Sequence, residues 1–77
     1  NEAFAVIDVL FDRAFPGMRE RYNRFGGALA YGHPYGASGA LLILHLLKSL
    51  ESCGGHYGIC AAAAAGGIGS AILLERR

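Results

Sequence analysis

The chain has 77 residues, of which 53% are hydrophobic, 17% are charged and 12 are glycines. Its formal net charge is +1 at pH 7, and it has no basic stripe of the kind that binds nucleic acid. The longest nearly charge-free stretch, residues 25–47, is broken by glycines, a histidine and a proline, unlike a membrane span. Because so small a chain buries too little apolar surface to offset the entropy of ordering it, we expect it to need a partner or a further part of its own polypeptide.

The first predicted element is a helix over residues 2–15, because its apolar residues recur on one helical face: Phe4, Ile7, Phe11 and Ala14. Asn1 has the side-chain chemistry of an N-cap, and Glu2 carries the charge that is favoured at the positive end of a helix dipole. Pro16 and Gly17 are expected to end this helix.

Two loops are predicted next. Residues 18–24 form the most polar stretch of the chain, which indicates a solvated loop. Residues 25–39 contain five glycines in fifteen positions, and glycine permits positive φ angles and the close approach of other groups. We therefore expect this second loop to make tight backbone turns.

The remaining elements are one helix and two strands. Residues 37–52 predict a helix that is apolar on nearly every side, as in helices that lie between two layers, and Gly54-Gly55 supplies its stop. Residues 57–65 and 70–75 predict two short strands, joined by residues 66–69 into an antiparallel pair. This order of elements indicates part of a layered α/β fold.

His33 is the first candidate for chemistry. It lies between Gly32 and Pro34 directly before the second helix, whose first N–H groups lack helical partners. A histidine in this place can activate a thiol or hydrogen-bond a developing oxyanion, although a structural histidine in a tight turn fits the same residues. Asn1 is similarly open to two interpretations, as a helix cap or as a side chain that orients a water toward a reacting carbonyl.

No other pattern in the chain favours a second kind of site. The glycines around the histidine are followed by no Walker lysine, and the histidines and cysteines have no zinc-binding spacing. His45 is expected to be a packed or partly exposed helix residue, and His56 a surface residue in a turn. Cys53 and Cys60 are expected to be free thiols.

Four motifs follow one another along the chain: NEAFA at residues 1–5, GGALA at 26–30, GHPYGASG at 32–39 and GGIG at 66–69. Together they resemble the C-terminal part of a thiolase, and the resemblance covers essentially all 77 residues. It implies a thiolase-like α/β layered fold, of which residues 1–77 are a C-terminal portion of the thiolase C-terminal domain. The N-terminal half of the fold is absent from this chain.

The resemblance also implies an activity. Thiolases catalyse reversible Claisen condensation and thiolysis between acetyl-CoA and acyl-CoA, so coenzyme A thioesters are the implied substrates and no tightly bound cofactor is implied. The nucleophilic cysteine would come from an N-terminal thiolase segment or chain, in a homodimer or tetramer. A cytoplasmic location is expected, with the mitochondrial or peroxisomal matrix as alternatives. A ketoacyl-synthase-like enzyme fits less well, because that group typically has a second histidine where Asn1 stands.

Individual roles carry over where the motifs match. Asn1 corresponds to the family's asparagine that holds a water in one oxyanion hole, and His33 to the histidine that serves the same hole and activates the nucleophile. Ala65 matches the residue whose backbone N–H forms the second oxyanion hole. Leu41 departs from the family's usual arginine, which puts in doubt the polar contacts of that helix's first turn.

Ala63 is the departure that concerns the chemistry. It stands where the family has a second, acid/base cysteine, three residues before Gly66. Cys60 is three positions too early, and an odd offset along a strand points its side chain to the opposite face. A methyl group cannot transfer the α-proton, so we expect poor carbon–carbon chemistry or, as the alternative, a catalytically inactive acyl-CoA-binding or structural subunit. A deliberate Cys→Ala change, which the otherwise intact motifs favour, and natural loss of the thiol both remain open as the origin of Ala63.

Overall fold

The structure, a computed structural model, describes residues 1–77 and contains three helices and one two-stranded antiparallel sheet. The predicted α/β class is confirmed, as is the order of two longer helices followed by two strands. In chain order the elements are α1 (Ala5–Ala14), a turn of 3-10 helix (Arg19–Arg21), α2 (Ala28–Tyr31), α3 (Ser38–Cys53), β1 (Tyr57–Ala64) and β2 (Ile68–Glu75).

The start of α1 differs from the prediction. Phe4 is the N-cap residue in an extended conformation, with φ of −141° and ψ of 150°, and no side chain caps the helix. The prediction that Asn1 caps this helix is therefore wrong. The backbone nitrogen of Asn1 instead donates to the carbonyl oxygen of Ala61 at 2.5 Å, so the segment before α1 is held against β1.

The polar stretch after α1 packs on that helix more closely than a solvated loop would. The ring of Tyr22 stacks on that of Phe11, with 4.2 Å between the ring centroids. The hydroxyl of Tyr22 donates to the carboxylate of Asp8 at 2.5 Å. The aromatic contact and the hydrogen bond together fix the path of the chain toward the glycine-rich segment.

The glycine-rich segment contains the short helix α2, which was not predicted. Its four residues lie between Gly27, the N-cap, and Gly32, which has a φ of 99° that favours glycine. Alanine and leucine are strong helix formers, so the residues between the two glycines form a turn of helix even in this setting. The helix ends directly before His33.

Helix α3 ends at Gly54, which adopts the left-handed conformation with a φ of 70° and donates its N–H to the carbonyl of Leu50. The helix packs on β1, where a Cβ on Gly58 would lie 2.9 Å from Cγ of Leu46. Leu50 is the one buried hydrophobic residue, with 5% of its surface exposed, whereas Leu44 is 51% exposed. Helix α3 is therefore covered on one side only, and the second layer expected from its sequence is not formed by residues 1–77.

The two strands pair from Tyr57 with Glu75 to Ala64 with Ile68. Gly66 and Gly67 form the turn with φ angles of 87° and 76°, in the region where glycine is strongly preferred. Strand β2 begins two residues earlier than predicted, because Ile68 and Gly69 already pair with β1. Among the helices, none has both the length and the apolar composition needed to cross a membrane.

Candidate active site

Position 63 lies near the end of β1, in an open and small-residue environment. Ala63 pairs with Gly69, which has no side chain to occupy the space beside it. A depression of about 250 Å³ lies here, lined by Ala62, Ala63, Ala64, Ile68, Gly69 and Ser70. A side chain somewhat larger than a methyl group therefore fits at position 63.

Cys60 lies in a different environment. A cavity between the sheet and α3 is lined by Cys60 together with Leu42 and Ile43 of the helix, and Cys60 is half-buried there. Because side chains alternate along a strand, Ala63 points to the other face of the sheet. Burial raises the pKa of the Cys60 thiol, so Cys60 is a poor nucleophile and a poor proton acceptor. It is no substitute for a thiol at position 63.

His33 is fixed at the start of α3 by a buried serine. Its Nδ1 lies 2.6 Å from Oγ of Ser38, and Ser38 is 7% exposed. The hydroxyl of Ser38 also donates to the carbonyl of Pro34 at 3.2 Å. A hydroxyl has a single hydrogen, so Oγ then accepts from Nδ1–H of the imidazole. In this tautomer Nε2 has no hydrogen-bond partner in the chain and is free to accept a proton from another group.

Tyr35 lies beside this histidine. Its ring meets that of His33 edge-on, with centroids 4.9 Å apart. Tyr35 is 87% exposed, so its ring lies on the solvent-facing side of His33.

The segments that carry the predicted site residues meet around the middle of β1. The nitrogen of Asn1 bonds to Ala61, two residues before Ala63. The first turn of α3, which holds His33 through Ser38, reaches the same strand, because Gly39 lines the cavity beside Ala61. No hydrogen bond joins His33 directly to Asn1 or Ala63. The three residues are brought near one another because the segments that carry them all contact or belong to β1.

Ala65 lies in the turn that follows β1. Its backbone N–H makes no hydrogen bond to the rest of the chain. The amide is therefore available to an external acceptor, which is the property that an oxyanion donor requires.

The other two histidines lie apart from this site. The ring of His45 meets the edge of Tyr31 with 5.2 Å between centroids, and its Nδ1 is buried without a hydrogen-bond partner. His56 is exposed, and its Nδ1 lies 3.2 Å from the carbonyl of Arg76. Both positions agree with the sequence-based interpretation of a packed and a surface histidine.

Ser38 is the residue of this site that the sequence analysis missed. It lies five residues after His33, in the first turn of the helix that follows the histidine. A serine there is easily taken for a simple helix start, and only the fold of residues 34–38 brings its hydroxyl back to the imidazole.

The family model for the thiolase C-terminal domain matches residues 1–76. The chain belongs to the thiolase family. An acetyl-CoA acetyltransferase of Synechocystis is 45% identical over 76 residues, which cover 99% of this chain and 19% of that protein. The cytosolic acetyl-CoA acetyltransferase of Rattus norvegicus is 41% identical over 76 residues, again 99% of this chain and 19% of that protein.

A 3-ketoacyl-CoA thiolase of Shewanella amazonensis is 49% identical over 75 residues, which cover 97% of this chain and 15% of that protein. The chain thus spans less than a fifth of the length of these curated thiolases, and the match places its residues in their C-terminal domain. No solved structure matches the chain.

Replacing Ser38 with alanine is expected to lower the stability of the complete thiolase by about 1–3 kcal/mol, because the partly buried Nδ1 of His33 then loses its partner. Ser52→Ala is the matched control. Ser52 is exposed and bonds only to the carbonyl of Ser49 at 3.1 Å, so its loss is expected to change stability by less than about 0.5 kcal/mol. Urea unfolding midpoints measure both variants, and equal midpoints would contradict a structural role for the Ser38 bond.

Proposed function

We propose that the complete protein is an acyl-CoA C-acyltransferase of the thiolase type, acting on acetyl-CoA and acyl-CoA. The observation that carries this proposal is the histidine of GHPYGASG, held through Nδ1 by Ser38 with Nε2 left free. The names of the relatives, acetyl-CoA acetyltransferase and 3-ketoacyl-CoA thiolase, support the same reaction class.

The first half of the reaction would use His33 as a base. A cysteine thiol from the N-terminal thiolase segment or chain gives its proton to Nε2, and the thiolate attacks the thioester carbonyl. The carbonyl oxygen becomes negative and is stabilised by the backbone N–H of Ala65. Coenzyme A leaves as its thiol once it regains a proton, and the acyl group stays on the cysteine.

The second half would form or cleave the carbon–carbon bond. A base removes the α-proton of acetyl-CoA, the enolate carbon attacks the acyl group on the cysteine, and the carbon–sulfur bond breaks to release the cysteine as its thiolate. The enolate oxygen would lie in the oxyanion hole that contains a water held by Asn1, and His33 would donate to it only with a proton on Nε2. Ala63 has no group that takes the α-proton, so we propose that this half is slow.

The same alanine supports an alternative function, a subunit that binds acyl-CoA or stabilises a partner without turnover. In both functions residues 1–77 need further protein to cover their apolar side chains. Phe4 is 72% exposed and Ile59 is 67% exposed, although both are large hydrophobic residues. We propose that the N-terminal thiolase segment or chain covers them, and that the whole forms a homodimer or tetramer. A cytoplasmic location, with the mitochondrial or peroxisomal matrix as alternatives, is part of the proposal.

The test is acylation of the complete protein, because the first half-reaction does not need a thiol at position 63. The protein is incubated with acetyl-CoA, and its intact mass and the release of coenzyme A are measured. We expect one acetyl group on one cysteine outside residues 1–77, with one equivalent of coenzyme A released. Binding of acetyl-CoA with no acylated cysteine would overturn the enzyme proposal and favour the non-catalytic subunit.

A further inference from the structure

Glu2 is buried although it carries a carboxyl group. It is 8% exposed, and the proposed reaction gives it no role. Its side chain packs over Gly27, where an added Cβ would lie 2.8 Å from Cγ of Glu2 and nearer still to its carboxyl atoms. Burying a carboxylate without a partner costs several kcal/mol, on the order of the stability of a small domain. The contact over Gly27 therefore needs a compensating interaction.

Asp8 supplies that interaction from helix α1. Burial raises the pKa of Glu2, and the neighbouring Asp8 carboxyl raises it further through a hydrogen bond and through charge repulsion. Asp8 already accepts a hydrogen bond from the hydroxyl of Tyr22 at 2.5 Å. Two facing carboxyl groups are most stable when they share one proton. A proton shared between Glu2 and Asp8 would let the Asp8 carboxylate accept from Glu2 as well as from Tyr22.

Arg19 is the charged side chain that faces Glu2 and Asp8 from outside α1. Arg19 lies on the 3-10 turn, with its guanidinium carbon 5.8 Å from the centroid of the Tyr22 ring. It also pairs with Asp12 on α1 at 3.5 Å. The positive charge of Arg19 lowers the pKa of Glu2, but by less than burial and Asp8 raise it.

The position of Glu2 in the chain links it to the site. The residue before it, Asn1, is bonded to β1. The residue beneath it, Gly27, starts the short helix α2, which runs directly into Gly32 and His33. Glu2 therefore touches both the segment that carries Asn1 and the segment that carries His33.

We propose that Glu2 is a positioning residue, whose buried side chain fills the space over Gly27, so that the loop carrying His33 is held in register with Asn1. Its effect on catalysis rests on the proposed acyltransferase function. Its effect on the loop is independent of that function.

The decisive variants are Glu2→Gln and Glu2→Ala in the complete protein, with Glu20→Gln as the control because Glu20 is exposed. The Gln amide fills the same space over Gly27 and can donate to the Asp8 carboxylate, so we expect its acylation rate to stay near that of the parent. Glu2→Ala is expected to lower the acylation rate constant on the order of 10- to 100-fold, with little change in the acetyl-CoA concentration at half-saturation.

The pH dependence gives a second readout that does not depend on activity. The pKa of Glu2 is raised in the folded protein, so its contribution to stability is present at low pH and is lost as the pH rises through that raised pKa. Glutamine does not titrate. We therefore expect the melting temperature of Glu2→Gln to rise relative to the parent as the pH increases, and the difference for Glu20→Gln to stay flat.

Hydrogen exchange of residues 26–33 measures the loop itself. Faster exchange in Glu2→Ala than in Glu2→Gln supports the positioning role. Equal exchange in both variants, together with pH-independent melting differences, overturns it. If the parent protein forms no acyl-enzyme, the proposed function fails, but the exchange and melting comparisons still decide the role of Glu2.

Discussion

Replacing Ala63 with cysteine is expected to raise the rate of acetoacetyl-CoA formation by the complete protein on the order of 10²- to 10⁴-fold, the usual contribution of a positioned general base. The thiolate at this position would remove the α-proton of acetyl-CoA, which the alanine methyl cannot do. The acylation half-reaction should change little, because the proposed mechanism assigns it to His33 and to a cysteine outside residues 1–77. Condensation is measured by the release of coenzyme A after the acyl-enzyme has formed.

The structure provides the room for this substitution. The partner of Ala63 across the sheet is Gly69, and the depression beside them has a volume of about 250 Å³. Ala62→Cys is the matched control, because its side chain points to the face that packs on α3. Each variant adds one thiol, and the two positions are adjacent in β1. The variants therefore differ mainly in the face of the sheet to which the added thiol points. Equal condensation rates in the two variants, in a protein that acylates normally, would rule out the missing thiol as the cause of a slow second step.

The sequence predicts the fold best where a local residue pattern is compatible with only one structure. The small-residue run before Gly66 predicted a strand, and the odd offset between Cys60 and Ala63 predicted that their side chains lie on opposite faces. The burial of alternate residues in the first half of β1 agrees with this alternation. The alternation of side chains along a strand depends on local backbone geometry, so it does not depend on the rest of the fold.

The sequence was less informative where a residue's partner lies far along the chain. Asn1 looked like a helix cap because its side chain suits that role, but its backbone bonds to Ala61, sixty residues later. Glu2 looked like a charge placed at a helix end, yet it is buried over Gly27. The spacing of these residues does not predict contacts between positions so far apart in the sequence. Those contacts depend on how α2 and β1 are placed relative to the segment that precedes α1.

The exposure of α3 follows the same logic. Its sequence predicted a buried helix, and its side chains are apolar as expected, but Leu44 and Leu47 are 51% and 43% exposed. A hydrophobic pattern reports the surroundings that a helix has in the complete protein. Because the chain spans less than a fifth of the length of its curated relatives, every variant is tested in the complete protein.

Replacing His33 with alanine is expected to lower the acylation rate of the complete protein on the order of 10³-fold. The proposed mechanism gives this residue two functions: proton transfer from the nucleophilic cysteine, typically worth about 10²- to 10⁴-fold, and a part in an oxyanion hole, typically worth about 10²- to 10³-fold. In that mechanism the acylation step depends mainly on the first of these. Single-turnover release of coenzyme A from acetyl-CoA measures it, at substrate concentrations well above saturation.

Two controls separate this role from a structural one. The His56→Ala variant removes an exposed histidine whose Nδ1 faces only the carbonyl of Arg76, so we expect it to acylate at the parent rate. Ser38→Ala leaves Nε2 in place but frees the ring, so we expect a smaller loss than for His33→Ala. A His33→Ala protein that keeps the parent's acylation rate would show that another group activates the cysteine, and it would leave Ser38 and its bonded histidine as structural elements of the loop.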